Sequence, residues 1–335
     1  MSDVTPPQDV TPVELAGTDV AIPPLGVGTW AWGDKGTWGM GGYDQSLTEA
    51  TIREAWEASI AAGVVLFDTA EVYGGGESER IIGRLLAADR AVRNRLIIAT
   101  KFMPSPWKLN VRAALLSAAR KSRERLGIDV IDLYQIHGPI SLRSHDALAE
   151  ALATAHAEGL VRAVGVSNYS VKETRSMDAA LRKRGLRLAS NQIEFSLLRA
   201  MPLRRGLIST CRELGVVPLA YSPIGQGRLT GKYSAANPPP RGRSFSAHPM
   251  AEVDTVVALL RRIGNAHGDR TPSQVALAWL IAKGAVPIPG AKNREQAEQN
   301  AGALGWRLTS EDLDLLTQAA LSGTRTLQQR IWQHG

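Results

Sequence analysis

Eight short apolar runs, most of them separated by a long amphipathic stretch, leave this chain few architectures to choose from. The runs are "PPLGVGTW", "VVLFDTA", "LIIATKF", "VIDLYQIH", "RAVGVSN", "LASNQIE", "VVPLAYSP" and "AVPIPGA". They are rich in Val, Ile and Leu, the composition of strands buried on both faces of a parallel sheet. Between them, stretches such as "LTEATIREAWEASIAAG", "VRAALLSAARKSRERLG" and "SHDALAEALATAHAEG" carry apolar residues at helical spacing and stop at a glycine, the usual left-handed helix end. The repeated strand–helix unit predicts an α/β fold closed into a (β/α)8 TIM barrel rather than an open sheet. A short alternating segment, "VELAGTDVAI", predicts a β-hairpin capping one end. No low-complexity linker divides the chain, so residues 13–325 read as one domain, with a flexible tail at 1–12 and a C-terminal tail at 326–335.

Composition narrows the setting. Of 335 residues, 44% are hydrophobic and 21% charged, enough to bury a real core. The lone cysteine, Cys211, excludes an intrachain disulfide and favours reducing cytoplasm. No apolar stretch approaches the ~20 residues needed to span a bilayer, and the polar start "MSDVTPPQDVTP" does not read as a signal peptide. The net charge is +7. Its densest runs, "RKSRERLG" and "LRKRGLR", lie on expected helices without interleaved aromatics, which points to solvated faces rather than nucleic-acid binding. A mildly basic surface still favours an anionic ligand.

The chemistry gathers at strand ends. Asp68 closes the second run, Lys101 lies near the end of the third and His137 closes the fourth, while Tyr73 follows Asp68 in a loop. Neighbouring parallel strands lie about 5 Å apart, so these side chains can converge at the C-terminal mouth where barrel active sites lie. Each residue alone has an ordinary reading as a helix cap, a snorkelling lysine, a structural histidine or a packing tyrosine. Together they make a proton-delivery site. Reducing a carbonyl requires a proton at oxygen and a hydride at carbon. An ammonium beside a phenol lowers its pKa toward a working range, a carboxylate holds the ammonium, and a histidine orients the carbonyl oxygen. Two long loops, "AWGDKGTWGMGGYDQS" and "KYSAANPPPRGRSFSAHPM", follow strand ends on the same face and read as binding loops.

From "PPLGVGTW" to "QNAGALGW" the chain resembles the aldo-keto reductases. "FDTAEVYGGGESERIIGRLL" is similar to that family's Asp–Tyr segment, "IIATKF" to its Lys segment and "DLYQIHGP" to its His segment. "VGVSNYS", "NQIEFSLL", "AYSPIGQGRLTGKY" and "PIPGAKNREQAEQN" resemble its cofactor segments. The resemblance implies Asp68, Tyr73, Lys101 and His137 as the catalytic residues, with Tyr73 as general acid and NADPH as hydride donor. It also implies that Ser167, Asn168 and Gln192 hold the nicotinamide carboxamide and that Tyr221 stacks on the ring. Ser222, Pro223, Ile224, Gly225 and Gly227 would bring backbone to the pyrophosphate, with Lys232 adding charge. Pro289, Gly290 and Ala291 would lead to Lys292 and Arg294, cations suited to a 2′-phosphate, with Gln296, Gln299 and Asn300 beyond. Thr29, Trp30 and Asp68 complete the expected cofactor contacts. The nearest match to a dinucleotide-binding glycine fingerprint, "GVGTWAWG", has the wrong spacing, which disfavours a two-domain dehydrogenase.

In one place the pattern departs. Where many relatives carry a bulky aromatic after the histidine, this chain has Gly138, so a wall of the substrate pocket is either lost or supplied from elsewhere, with Trp30, Trp32, Phe102 and Trp107 as the candidates. The long loops resemble the branch with potassium-channel β-subunit-like and plant chloroplast-type members. The expected activity is NADPH-dependent reduction of a small carbonyl substrate. The alternative is an NADP(H)-bound sensing or partner-binding module with little turnover. A metal-dependent barrel hydrolase is disfavoured because no H-x-H pair stands at any strand end, and no metal ligand is expected. Substrate identity and oligomeric state are not encoded in any motif.

Overall fold

The computed structural model describes residues 11–33, 47–240, 248–324 and 327–335. Most of the expected N-terminal tail, most of the first long loop and residues 241–247 of the second lie outside the described residues. The hairpin is formed by β1 (Val13–Glu14) and β2 (Ala21–Ile22), which pair antiparallel. Eight parallel strands follow in chain order: β3 (Gly26–Gly28), β4 (Leu66–Asp68), β5 (Ile97–Phe102), β6 (Ile131–Ile136), β7 (Val161–Ser167), β8 (Ser190–Glu194), β9 (Val217–Tyr221) and β10 (Val286–Pro287). Each pairs with its sequence neighbour. A bridge between Gly28 and Gly290 joins the first to the end of the last, where Gly28 N–H donates to the Pro289 carbonyl at 3.0 Å. This is the (β/α)8 barrel that the alternation of runs implies.

Period-two alternation sorts each strand into two cores. Leu66, Ala99, Leu133, Ala163, Val217 and Val286 face the barrel interior and pack with Leu15, Val20 and Ile22 of the hairpin region, which plugs the bottom. Phe67, Ile98, Tyr134, Val164 and Val166 face outward into the larger cluster shared with the helices. The helix Val111–Leu126 illustrates how sequence sets each covering element. The side chain of Asn110 accepts from Ala113 N–H at its start, and Gly127 in the left-handed region (φ +64°) ends it. Leu115, Leu116, Ala119 and Leu126 recur at helical spacing on its buried face. Among the described residues no helix is long and apolar enough to cross a membrane.

The turn after β4 positions the site. Three successive glycines, Gly74, Gly75 and Gly76, take φ of +58°, +63° and +89° and lead directly into the helix Glu77–Ala88. An L-residue pays about 1–2 kcal/mol for such a conformation. At Gly74 space is lacking as well, since a Cβ there would lie 1.9 Å from the Gly33 carbonyl oxygen, whereas at Gly75 it would meet nothing within 4 Å. Gly75→Ala is therefore expected to destabilise the protein by about 1–2 kcal/mol and Gly74→Ala by clearly more, as read from urea unfolding midpoints. Equal effects would show that the close approach to Gly33 has no energetic weight.

Candidate active site

Two threonines just beyond strand ends fix the loop that carries Tyr73. Thr29, after β3, and Thr69, after β4, both bond Ser78 in the first turn of the helix Glu77–Ala88, at 2.8 and 2.9 Å between hydroxyl oxygens. Within this clamp Lys101 Nζ donates to Asp68 Oδ1 at 2.5 Å, to the Thr69 carbonyl at 2.8 Å and to the Tyr73 hydroxyl at 3.2 Å. Lys101 and Asp68 are both almost wholly buried. The other carboxylate oxygen of Asp68 accepts from Gln192 Nε2 at 2.8 Å and Gln135 Nε2 at 3.2 Å. His137 stands edge-on to Tyr73, with ring centroids 5.7 Å apart. The three strand-end groups and the loop tyrosine singled out in sequence thus meet at one point of the mouth.

Their protonation states follow from the packing. Burial alone would lower the pKa of Lys101, but the Asp68 carboxylate and Tyr73 outweigh it and hold the ammonium above its usual range. For Tyr73 the balance differs from the sequence expectation. Burial pushes its pKa up, Lys101 pulls it down and Asp68 pushes it up again, and the net direction is upward. Lys101 limits the rise but does not reverse it, because the same pocket that brings the ammonium close also removes water from the phenolate. Tyr73 therefore rests as a phenol, the protonated form a general acid needs. Burial, helped by Lys101, holds His137 well below its usual range, so it is a neutral imidazole. Its Nδ1 is buried without a hydrogen-bond partner among the described residues.

Of the expected cofactor residues, Gln192 touches this centre directly through its bond to Asp68. Ser167 Oγ donates to the Gln192 carbonyl at 2.9 Å, and Asn168 Nδ2 donates to Ser167 Oγ at 3.2 Å. Asn168 has φ +64°, a conformation asparagine tolerates better than most residues, and its Oδ1 accepts from the Tyr221 hydroxyl at 3.0 Å. After β9 the chain bends through Ser222 (φ +49°), Gly225 and Gly227, with Pro223 and Ile224 between. The Lys232 ammonium lies 5.0 Å from the Tyr233 ring centroid. The helix Arg294–Ala301 is capped by Asn293, which accepts from Gln296 N–H. Lys292 N–H donates to Gln296 Oε1 at 3.2 Å, Arg294 is 3.6 Å from Glu298, Gln299 bonds Glu295, and Asn300 Nδ2 donates to the Gly290 carbonyl at 3.2 Å. Thr29 is buried, its hydroxyl engaged by the Asp68 carbonyl and Ser78.

Comparison with known proteins shows the family. Residues 24–320 match the family model of the aldo/keto reductase family. The chain belongs to that family. It is 37% identical over 327 residues to the chloroplastic pyridoxal reductase of Arabidopsis thaliana, covering 94% of this chain and 87% of that one. It is 38% identical over 302 residues to an uncharacterised oxidoreductase of Mycobacterium tuberculosis, covering 88% of each. Among solved structures, a thermostable aldo-keto reductase superposes with a TM-score of 0.74 at 30% identity, over 92% of this chain and 99% of that one. A Klebsiella pneumoniae aldo-keto reductase in complex with NADPH superposes with a TM-score of 0.71 at 26% identity, over 95% and 97%. Membership makes this aldo/keto reductase an oxidoreductase of the carbonyl-reducing kind.

The expected pocket residues separate in space. Trp30 stays at the mouth, its ring 6.5 Å from that of Tyr73. Trp32 is buried, donating Nε1–H to the Ala291 carbonyl at 2.7 Å and packing on Phe67. Phe102 is buried in the outer core, and Trp107 is 78% exposed. The side chain beside Gly138 is instead Trp332, from the far end of the chain. Sequence reasoning also passed over Gln135, although its position two residues before His137 puts it on the same strand face. Arg228, buried inside the loop after β9 with Nη1 donating to the Gly225 carbonyl at 3.2 Å, was likewise unflagged.

Removing one partner of the buried pair leaves the other charge uncompensated, at a cost of roughly 3–5 kcal/mol. Lys101→Met is expected to lower unfolding stability by that amount, and adding Asp68→Asn to recover much of it. A double mutant no more stable than the single would refute the coupling. For His137 the folded pKa lies below the unfolded value of about 6.5, so as pH falls the unfolded chain takes up the proton first. Its contribution is complete above that pH and declines below it, by up to about 1.4 kcal/mol per pH unit. His137→Asn should flatten that limb of the stability–pH curve.

Proposed function

We propose that this aldo/keto reductase is an NADPH-dependent carbonyl reductase acting on small aldehydes, aromatic ones foremost. The observation that carries the reading is Lys101 Nζ held between Asp68 Oδ1 at 2.5 Å and the Tyr73 hydroxyl at 3.2 Å, with neutral His137 beside the phenol. The groups on the adjoining side suit a nicotinamide nucleotide. The Ser167 hydroxyl and the Asn168 and Gln192 amides offer the mixed donors and acceptors that a carboxamide needs. The loop after β9 offers glycine backbone for close approach to phosphate. Lys292 and Arg294 at the start of a helix suit a 2′-phosphate, which favours NADPH over NADH. The name of the Arabidopsis relative, pyridoxal reductase, makes pyridoxal the first aldehyde to try. The lone buried thiol, Cys211, is in keeping with action in the reducing cytoplasm.

When bound, the reduced nicotinamide supplies hydride to the carbonyl carbon. Tyr73 gives its hydroxyl proton to the carbonyl oxygen as charge develops there. Lys101, at 3.2 Å, stabilises the phenolate left behind, and Asp68 keeps the lysine charged and aimed. The phenolate then regains a proton from solvent. His137 directs the carbonyl oxygen toward Tyr73 through its single N–H, which a neutral imidazole can do without competing for the proton.

Mixing the protein with NADPH and pyridoxal or 4-nitrobenzaldehyde should deplete NADPH absorbance. Tyr73→Phe should lower kcat by roughly 10²–10⁴-fold while NADPH binding persists. Because burial holds the Tyr73 phenol above its ordinary range, its ionisation should leave kcat flat from neutral to mildly alkaline pH. Cofactor binding with no turnover over a panel of aldehydes would replace the reductase reading with a sensing module. Lys292→Ala combined with Arg294→Ala should raise KM for NADPH by roughly tenfold or more and leave KM for NADH nearly unchanged.

A further inference from the structure

Above the aliphatic interior of the barrel, one row of its wall is polar. Lys101, Gln135, Gly165 and Ser190 are successive Cα partners across β5, β6, β7 and β8. Gln135 and Ser190, like Lys101, are wholly buried. Gln135 Nε2 donates to Asp68 Oδ2 at 3.2 Å, and its Oε1 accepts from the Ser190 hydroxyl at 3.3 Å. Lys101 and Gln135 therefore hold the same carboxylate from neighbouring strands, one on each oxygen.

Gln135 and Ser190 stand two strands apart, with β7 between them. A Cβ at position 165 would lie 2.2 Å from Ser190 Oγ and 3.0 Å from Gln135 Cγ, so a glycine there lets the two side chains meet over the strand. Chemistry fixes the direction of these bonds. An ionised carboxylate only accepts, so the amide must turn its NH2 group to Asp68, which leaves its carbonyl end in need of a donor. Ser190 is that donor. Gln192, the other amide on Asp68 Oδ2 at 2.8 Å, is shared with the cofactor's carboxamide in the proposed function. Both ends of the Gln135 amide are engaged within the protein.

We propose that Gln135, oriented by Ser190 over Gly165, is a positioning residue for proton delivery: it anchors Asp68 Oδ2 so that Oδ1 alone faces Lys101 and the ammonium keeps a donor for Tyr73. The inference rests on the reductase reading for its reaction. Without the anchor the carboxylate turns both oxygens onto the ammonium and draws it from the phenol, which lies 3.2 Å from Nζ. The pull of the Lys101 charge on Tyr73 outweighs the push of the Asp68 charge. A retreat of the ammonium therefore makes the phenol a weaker acid and the phenolate left after proton transfer less stable.

The test compares wild type, Gln135→Leu and Ser190→Ala. Tyr73 is followed without cofactor or turnover, by fluorine NMR of protein made with 3-fluorotyrosine, whose more acidic phenol titrates at a milder pH. Tyr73→Phe assigns the signal. The Tyr73 midpoint should rise in Gln135→Leu and rise less in Ser190→Ala. With NADPH and 4-nitrobenzaldehyde, kcat should fall about tenfold or more in Gln135→Leu and about fivefold in Ser190→Ala, while KM for NADPH changes less than about threefold. Because Ser190 acts through the amide, Ser190→Ala added to Gln135→Leu should lower kcat no further. An unchanged Tyr73 midpoint with kcat within about threefold of wild type in Gln135→Leu would overturn the proposal, as would full additivity of the two substitutions. A purely structural role gives the first of these outcomes, with a lower urea midpoint and nothing else moved. If Gln135→Leu does not fold, Ser190→Ala, which loses a single hydroxyl, decides by the same two readings. A wild type that turns over no aldehyde would sink the reductase reading, and the Tyr73 midpoints alone would then judge the positioning role.

Discussion

The buried pair between Lys101 and Asp68 is the interaction on which the mouth of this barrel depends. Two charges taken out of water cost several kcal/mol each unless their remaining hydrogen-bonding capacity is met. Here it is met closely. The ammonium has a carboxylate oxygen, a main-chain carbonyl and a phenol, and the second carboxylate oxygen has two side-chain amides. These partners come from β4, β6, β8 and the loop after β4, so satisfying the charges fixes the relative positions of elements far apart in sequence. The price of burial becomes a means of pre-organisation, since groups so constrained need little rearrangement when charge develops at the carbonyl oxygen.

The same burial divides the protonation labour. Lys101 stays charged because its counterion lies at 2.5 Å, whereas His137 is driven neutral by burial and by the nearby Lys101 ammonium. Tyr73 lies between the two regimes. It feels both the ammonium that would stabilise its phenolate and the dry surroundings that oppose it, and the surroundings win. A phenol that holds its proton at rest and gives it up only beside an incipient alkoxide suits reduction better than one already ionised.

Much of this was legible in the sequence, and the parts that were not share a physical cause. Strand ends could be read because parallel barrels need continuous apolar strands and tolerate charge only at the mouth, so Asp68, Lys101 and His137 stood out. The glycine run 74–76 could be read because no other residue enters three left-handed positions in succession cheaply. Phe102 was misplaced at the pocket although strand alternation decides the matter. Adjacent residues face opposite sides, so with Lys101 inward Phe102 must point to the helices. The direction of the Tyr73 shift needed the balance of burial against charge, which residue types alone do not give.

Trp332 was illegible for a different reason: its partner is 194 positions away and neither residue belongs to a repeating pattern. The contact follows from how a closed barrel must treat its two ends. The bottom is sealed with aliphatic residues, Leu15, Val20 and Ile22, from the hairpin region. At the top, Lys101 and Asp68 are kept dry, and the proposed role of Tyr73 requires that its hydroxyl stay reachable. A short polar tail meets both demands. Its amide, ring and main-chain groups pair with Glu194, Tyr221, Glu173 and Asn168 on one side of the mouth, and its one large apolar side chain covers the histidine. Gln333 and its partner Glu194 are buried, as is Asn168, so the segment is held as part of the fold and not as a loose rim.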